Sequence, residues 1–209
     1  MGRTRRGRKL IALANIRVFL LVLLLMGIPA PALDLAEVRL REIAASNDPL
    51  APDECARRAG LAAALIDPAQ LDRDGSGEAV LLWRDDHSEA WLNLWWQPRD
   101  TGYHDHDGSC VGVYVIAGRA WNEALSFGTG PLIRDYGPGE AFSFPGDGIH
   151  RMDHEAGAVT VHVYSPPLRE IGHYELAGGR LRRTPIPADQ PSPPSPALFE
   201  AIHGQPPRQ

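Results

Sequence analysis

Tyr103-His104-Asp105-His106-Asp107-Gly108-Ser109-Cys110-Val111-Gly112-Val113-Tyr114-Val115-Ile116-Ala117-Gly118 is the stretch on which the reading of this chain turns. Successive side chains of a strand point to opposite faces, so His104 and His106 project from the same face. A third imidazole follows in Gly139-Glu140-Ala141-Phe142-Ser143-Phe144-Pro145-Gly146-Asp147-Gly148-Ile149-His150, where Pro145, Gly146 and Gly148 supply turns that lead His150 onto a neighbouring strand. Three neutral ring nitrogens can hold a divalent transition metal and leave coordination positions open for chemistry.

Around this stretch the chain has the length of one domain with a real core, 209 residues, and a net charge of −5. Its one concentrated basic run is Arg3 to Lys9, which excludes a nucleic-acid footprint on the folded part and points to a small-molecule partner. Two cysteines, Cys55 and Cys110, supply neither a framework of cross-links nor a Cys-x-x-Cys motif.

The basic run, the apolar residues Val18 to Met26 and the small residues Ala30-Pro31-Ala32 have the three parts of a secretory signal, and the apolar part is too short for a stable membrane span. Translation from Met26 is the other reading of residues 1–32. The cytoplasm is the expected compartment; a genuine signal would place the protein in the periplasm or outside the cell. Residues 33–184 form the expected domain and the proline-rich residues 185–209 a tail.

Apolar residues at three- and four-residue intervals from Leu33 to Leu71 predict two short helices, parted by Asn47-Asp48-Pro49 and restarted at Pro52-Asp53-Glu54. Asp72 to Gly77 imitates a calcium loop but has Trp83 where the last ligand should stand, so a turn is expected there. Strands are expected over Ala79–Trp83, Trp91–Trp96, Val111–Ile116, Arg119–Leu125, Leu132–Tyr136, Ala141–Phe144, Val159–Tyr164 and Tyr174–Arg182. Eight such strands with no helices between them predict a mainly β protein, an antiparallel β-barrel or jelly roll. In Ala158-Val159-Thr160-Val161-His162-Val163-Tyr164, alternation places Thr160, His162 and Tyr164 on one face, where burial would require them to hydrogen-bond to one another.

The two histidine-bearing segments resemble the two motifs of the cupin superfamily. The first has His104-x-His106, four residues, Val111 where the family usually has a metal-binding glutamate, six residues and Gly118. The second has Gly139, five residues, Pro145, Asp147 where glycine is usual, and His150. With Gly148-Ile149-His150-Arg151 and Val161-His162-Val163-Tyr164-Ser165-Pro166-Pro167, residues 81–167 resemble the cysteine dioxygenase type of thiol dioxygenase, whose iron is held by three histidines alone. That likeness implies Fe(II) on His104, His106 and His150, a small thiol and dioxygen as substrates, and a sulfinic acid as product. It implies a relay in which His162 holds the Tyr164 phenol, with Thr160 in the usual place of a serine, and leaves His154, where the cupin pattern has asparagine, without a ligand role. Where the animal enzymes carry the tyrosine and arginine that grip the substrate carboxylate stand Gly77 and Ala79, so Arg84, Arg99 or Arg169 would have to reach the pocket from elsewhere. Their cross-linking cysteine falls on Val111, and Cys110 should point to the opposite face. A non-catalytic metal-binding module that senses or binds a small molecule is the alternative reading, and a dioxygenase or isomerase acting on a carbon substrate is another.

Overall fold

The computed structural model describes residues 30–71, 78–126 and 130–188. Residues 1–29, 72–77, 127–129 and 189–209, and with them most of the expected signal-like segment, the expected turn and most of the expected tail, lie outside the described residues. The chain opens with helices α1 (Ala30–Ala44) and α2 (Pro52–Ala63). Pro52 sits in the first turn of α2, where its missing N–H costs nothing, and Asp53 and Glu54 face that turn's positive end. No helix among the described residues is long and apolar enough to cross a membrane.

The strands are β1 (Glu78–Arg84), β2 (Glu89–Trp95), β3 (Arg99–Asp100), β4 (His104–Asp105), β5 (Cys110–Ala117), β6 (Ala120–Ala124), β7 (Leu132–Tyr136), β8 (Ala141–Phe144), β9 (His150–His154), β10 (Ala158–Ser165), β11 (Glu170–Ala177) and β12 (Arg180–Pro187). They form two antiparallel sheets, β1-β2-β10-β5-β8 and β12-β11-β4-β9-β6-β7, with β3 added beside β9. One face of the first sheet is apolar because the branched residues of β2, β5 and β10 alternate. Ala90, Leu92, Leu94, Val159, Val161 and Val163 pack against Cys55, Ala59 and Ala62 of α2. The small residues of α2 allow close approach. At Gly112 a Cβ would lie 1.9 Å from the Ala56 nitrogen, so helix and strand touch backbone to backbone. On the opposite face Val111, Val113, Val115 and Phe142 meet Ala120 and Met152 of the second sheet.

The expected closed barrel or jelly roll is not formed. Among the described residues, β1 pairs only with β2, β8 only with β5, β12 only with β11 and β7 only with β6, so each sheet ends on two free edges. Alternation along a strand tells inside from outside, and two facing open sheets satisfy it as well as a barrel does. Closure depends on whether first and last strands meet in register, which alternation does not encode. Two further differences are local. The run expected as one strand over Tyr174–Arg182 is a hairpin, β11–β12, turning at Gly178 and Gly179, both at positive φ. His150 begins a strand of its own, β9, which lies directly opposite His104.

Candidate metal centre

His104 and His150 are cross-strand neighbours, and His106 lies two residues further along from His104 on the same segment. All three are buried, with ring centroids 4.5 to 5.0 Å apart. One nitrogen from each falls within 4.8 Å of the others, and no cysteine or carboxylate among the described residues joins the group. The tautomers follow from the partners. His104 Nδ1–H donates to the Gly102 carbonyl at 2.9 Å, and His150 Nδ1–H to Asn122 Oδ1 at 2.6 Å, so each presents the lone pair of Nε2 inward. Phe144 stacks on the His150 ring at 4.3 Å and fixes its plane.

The residues fit a metal ion. His150 Nε2 and His106 Nε2 are 3.3 Å apart. Two nitrogens bound to one ion at about 2.1 Å stand about 3.0–3.4 Å apart for angles between octahedral and tetrahedral. His106 Nδ1 is buried without a partner. A neutral His106 without a metal would place its proton on Nε2 and donate to His150, whereas an ion would move that proton to Nδ1. Burial holds all three rings below the usual histidine range, so they are uncharged and ready to bind at neutral pH.

The three polar residues of β10 form one hydrogen-bonded row. Thr160 Oγ1 is 3.0 Å from His162 Nε2, and His162 Nδ1 is 3.1 Å from the Tyr164 hydroxyl. Trp95 Nε1–H donates to Thr160 Oγ1 at 2.9 Å. An indole N–H can only donate, so Thr160 accepts from Trp95 with one lone pair and keeps its own proton and a second lone pair for His162 Nε2. When Thr160 gives its proton to Nε2, a neutral His162 carries its hydrogen on Nδ1, donates to Tyr164 and leaves the phenolic hydrogen free to point away from β10; in the opposite sense Nδ1 accepts the phenolic hydrogen. The Tyr164 ring lies edge-on to His106 at 5.1 Å. Burial drives the His162 pKa down to about 3 and pushes Tyr164 upward, so both are neutral.

His154 is buried, stacks on Trp95 at 3.9 Å and does not belong to the imidazole trio. His173 is buried opposite His104, and His87 is half-buried. Ala79 is exposed. Arg84 is engaged by the buried Glu89 and lies over Trp91, Arg99 lies over Trp95 at 5.9 Å, and Arg169 is exposed. Cys110 packs with the helix-side core while Val111 packs with the other, as strand parity requires.

Sequence reasoning missed Asn122, Phe144, Trp95 as a donor, and a clamp on β4. Between the two histidines, Asp105 points the other way and takes two hydrogen bonds from the Arg183 guanidinium, at 2.7 and 2.8 Å, and one from the Tyr174 hydroxyl at 2.7 Å. Alternation alone showed that Asp105 faces away from the histidines; nothing local showed what it meets there.

No protein-family model matches the chain, and no curated protein does. Among solved structures it is similar to KdgF from Halomonas sp., at 18% identity and TM-score 0.39 over 46% of this chain and 84% of that one. It is similar to TT1209 from Thermus thermophilus, at 19% identity and TM-score 0.40 over 49% and 96%. It is also similar to oxalate decarboxylase from Bacillus subtilis, at 21% identity and TM-score 0.35 over 38% of this chain and 21% of that one. These likenesses are too distant to bear on the chemistry, which rests on the buried trio of imidazoles and the hydrogen-bonded row beside it.

Proposed function

We propose that the protein is a thiol dioxygenase of the cysteine dioxygenase type, taking a small thiol, cysteine or one like it, to a sulfinic acid with dioxygen at an Fe(II) held by His104, His106 and His150. The observation that carries this reading is the pairing of an all-imidazole cluster with a phenol held in one hydrogen-bonded row by His162, Thr160 and Trp95. Three uncharged ligands leave the full charge of a divalent ion uncompensated, and such a centre, when bound, favours a thiolate over a thiol.

The chain's own residues do the rest. Asn122 and the Gly102 carbonyl keep two imidazoles in the binding tautomer. The apolar walls Val111, Val113, Phe142 and Met152 exclude water from the space between the sheets, which strengthens every charge interaction there. Tyr164, held by His162, keeps a proton that it can donate to a charged atom of the substrate when His162 Nδ1–H donates to the phenolic oxygen. Arg84 is bound by Glu89, so it does not serve as a carboxylate clamp.

Oxygen uptake by the iron-loaded protein with cysteine, 3-mercaptopropionate and cysteamine tests the reading. One dioxygen should disappear per thiol, with a sulfinate as product. No uptake with any thiol by protein that demonstrably retains iron would overturn it in favour of a metal-binding module. Uptake without sulfinate would point to a carbon substrate.

A further inference from the structure

The two cysteines of the chain, 55 residues apart in sequence, meet at the contact between α2 and β5. Their sulfurs are 3.8 Å apart, and both side chains are buried. The pair is held by backbone. Gly112 has Cys55 and Ala56 of α2 directly against it, where even a methyl group would collide with main-chain atoms, so the helix cannot slide along β5 without breaking that contact. At its own end the Cys110 thiol donates to the Leu50 carbonyl at 3.3 Å, which aims its sulfur toward the helix layer.

We propose that Cys55 and Cys110 are an oxidative modification site, forming an intramolecular disulfide by exchange with a small-molecule disulfide. A disulfide bond is about 2.05 Å long, so the sulfurs must close roughly 1.8 Å, within reach of rotation about the two Cα–Cβ bonds. This goes beyond the proposed dioxygenase activity and does not depend on it. A protein handling small thiols would nonetheless meet their disulfides.

The exchange balances in two steps. Cys110 is 8% exposed and Cys55 fully buried, so Cys110 reacts first. Its sulfur, as thiolate, bonds to one sulfur of the small disulfide and releases the other as a thiolate. Cys55 then loses its proton to solvent, bonds to the Cys110 sulfur, and the second small thiolate leaves. Two protein thiols are oxidised by two electrons and one small disulfide is reduced to two thiols. The second step is local, because the resolving sulfur already sits in contact with the first, so a mixed disulfide should not accumulate. A direct hydrogen bond between the thiols favours the same order, lowering the Cys110 pKa and raising that of Cys55.

The test uses the full chain, reduced with dithiothreitol, freed of it, and held folded at neutral pH with oxidised glutathione before denaturation and alkylation. The expected product takes up no alkyl group, has a mass about 2 Da below the reduced chain, and gives a peptide pair joining Cys55 to Cys110. A Cys55→Ser chain should stop with one glutathione on Cys110. Two alkyl groups after hours at saturating oxidant would overturn the proposal. So would stable glutathione on both cysteines, a link only between two chains, or a link formed only after unfolding.

Discussion

A single donor-only group anchors the row on β10. The Trp95 indole can only give, so one lone pair of Thr160 Oγ1 is taken, and the sense in which Thr160 gives its proton to His162 is the one that leaves the Tyr164 hydrogen pointing outward. Tyr164→Phe should keep the bound metal, measured by metal analysis, while lowering turnover about 10²–10⁴-fold, the range for losing one placed proton donor. Trp95→Phe frees the lone pair of Thr160 that the indole occupies. It should lower turnover less, and nitrogen NMR of His162 in the unaltered protein should show the proton on Nδ1; a proton on Nε2 would refute the outward sense. The row itself was legible in the sequence, since strict alternation through Val159, Val161 and Val163 can only place Thr160, His162 and Tyr164 together. Trp95 was not, because the indole comes from β2, and one strand's pattern does not reveal its neighbour or register.

The elements that carry the clustered histidines have little strand character of their own. β4 is two residues long, and β9, reading His-Arg-Met-Asp-His, contains no branched or aromatic residue apart from its imidazoles. Propensity was silent on both, and motif spacing found their histidines where strand chemistry could not. Such a short strand needs other fixing, and the β11–β12 hairpin supplies it through Arg183 and Tyr174 on Asp105. Gly172 makes room for it: a Cβ there would lie 2.2 Å from Arg183 Nε and 2.6 Å from Asp105 Oδ2. Gly172→Ala should therefore displace the ion pair while leaving the backbone in place. We expect Gly172→Ala and Arg183→Met alike to weaken divalent-metal affinity about tenfold or more, the effect of disturbing the support behind metal ligands. Chelator competition measures it. Loss of melting temperature with unchanged affinity would reduce the clamp to a purely structural role.

At the scale of the whole molecule, the mainly β class and the two helices could be read from the sequence, but the open ends of the sheets could not. β12 carries Arg180, Arg182 and Arg183 with Pro185 and Pro187, the charges and prolines that keep an edge from pairing with another chain. That composition is a sign of an edge, and a closed barrel has none. The interior between the sheets gathers His104, His106, His150, His154 and His162, all with pKa values lowered by burial, to about 3 for His154 and His162. Folding therefore removes protons that the unfolded chain would bind below its ordinary value near 6.5. Their contribution to stability is complete above about pH 6.5 and is lost as pH falls toward the folded values. His154 and His162 alone should cost about 3 kcal/mol per pH unit across that window, and the other three imidazoles steepen the loss. Set against a typical total of about 5–15 kcal/mol, this predicts cooperative unfolding of the metal-free protein between about pH 6 and pH 4, before most carboxylates titrate. Circular dichroism and tryptophan fluorescence should fall together there. A bound divalent ion competes with protons for the three ligand rings and should move the midpoint to lower pH. A metal-free protein with a flat profile down to pH 4 would mean that the imidazoles take up protons without unfolding the chain, and so are not enclosed between the sheets.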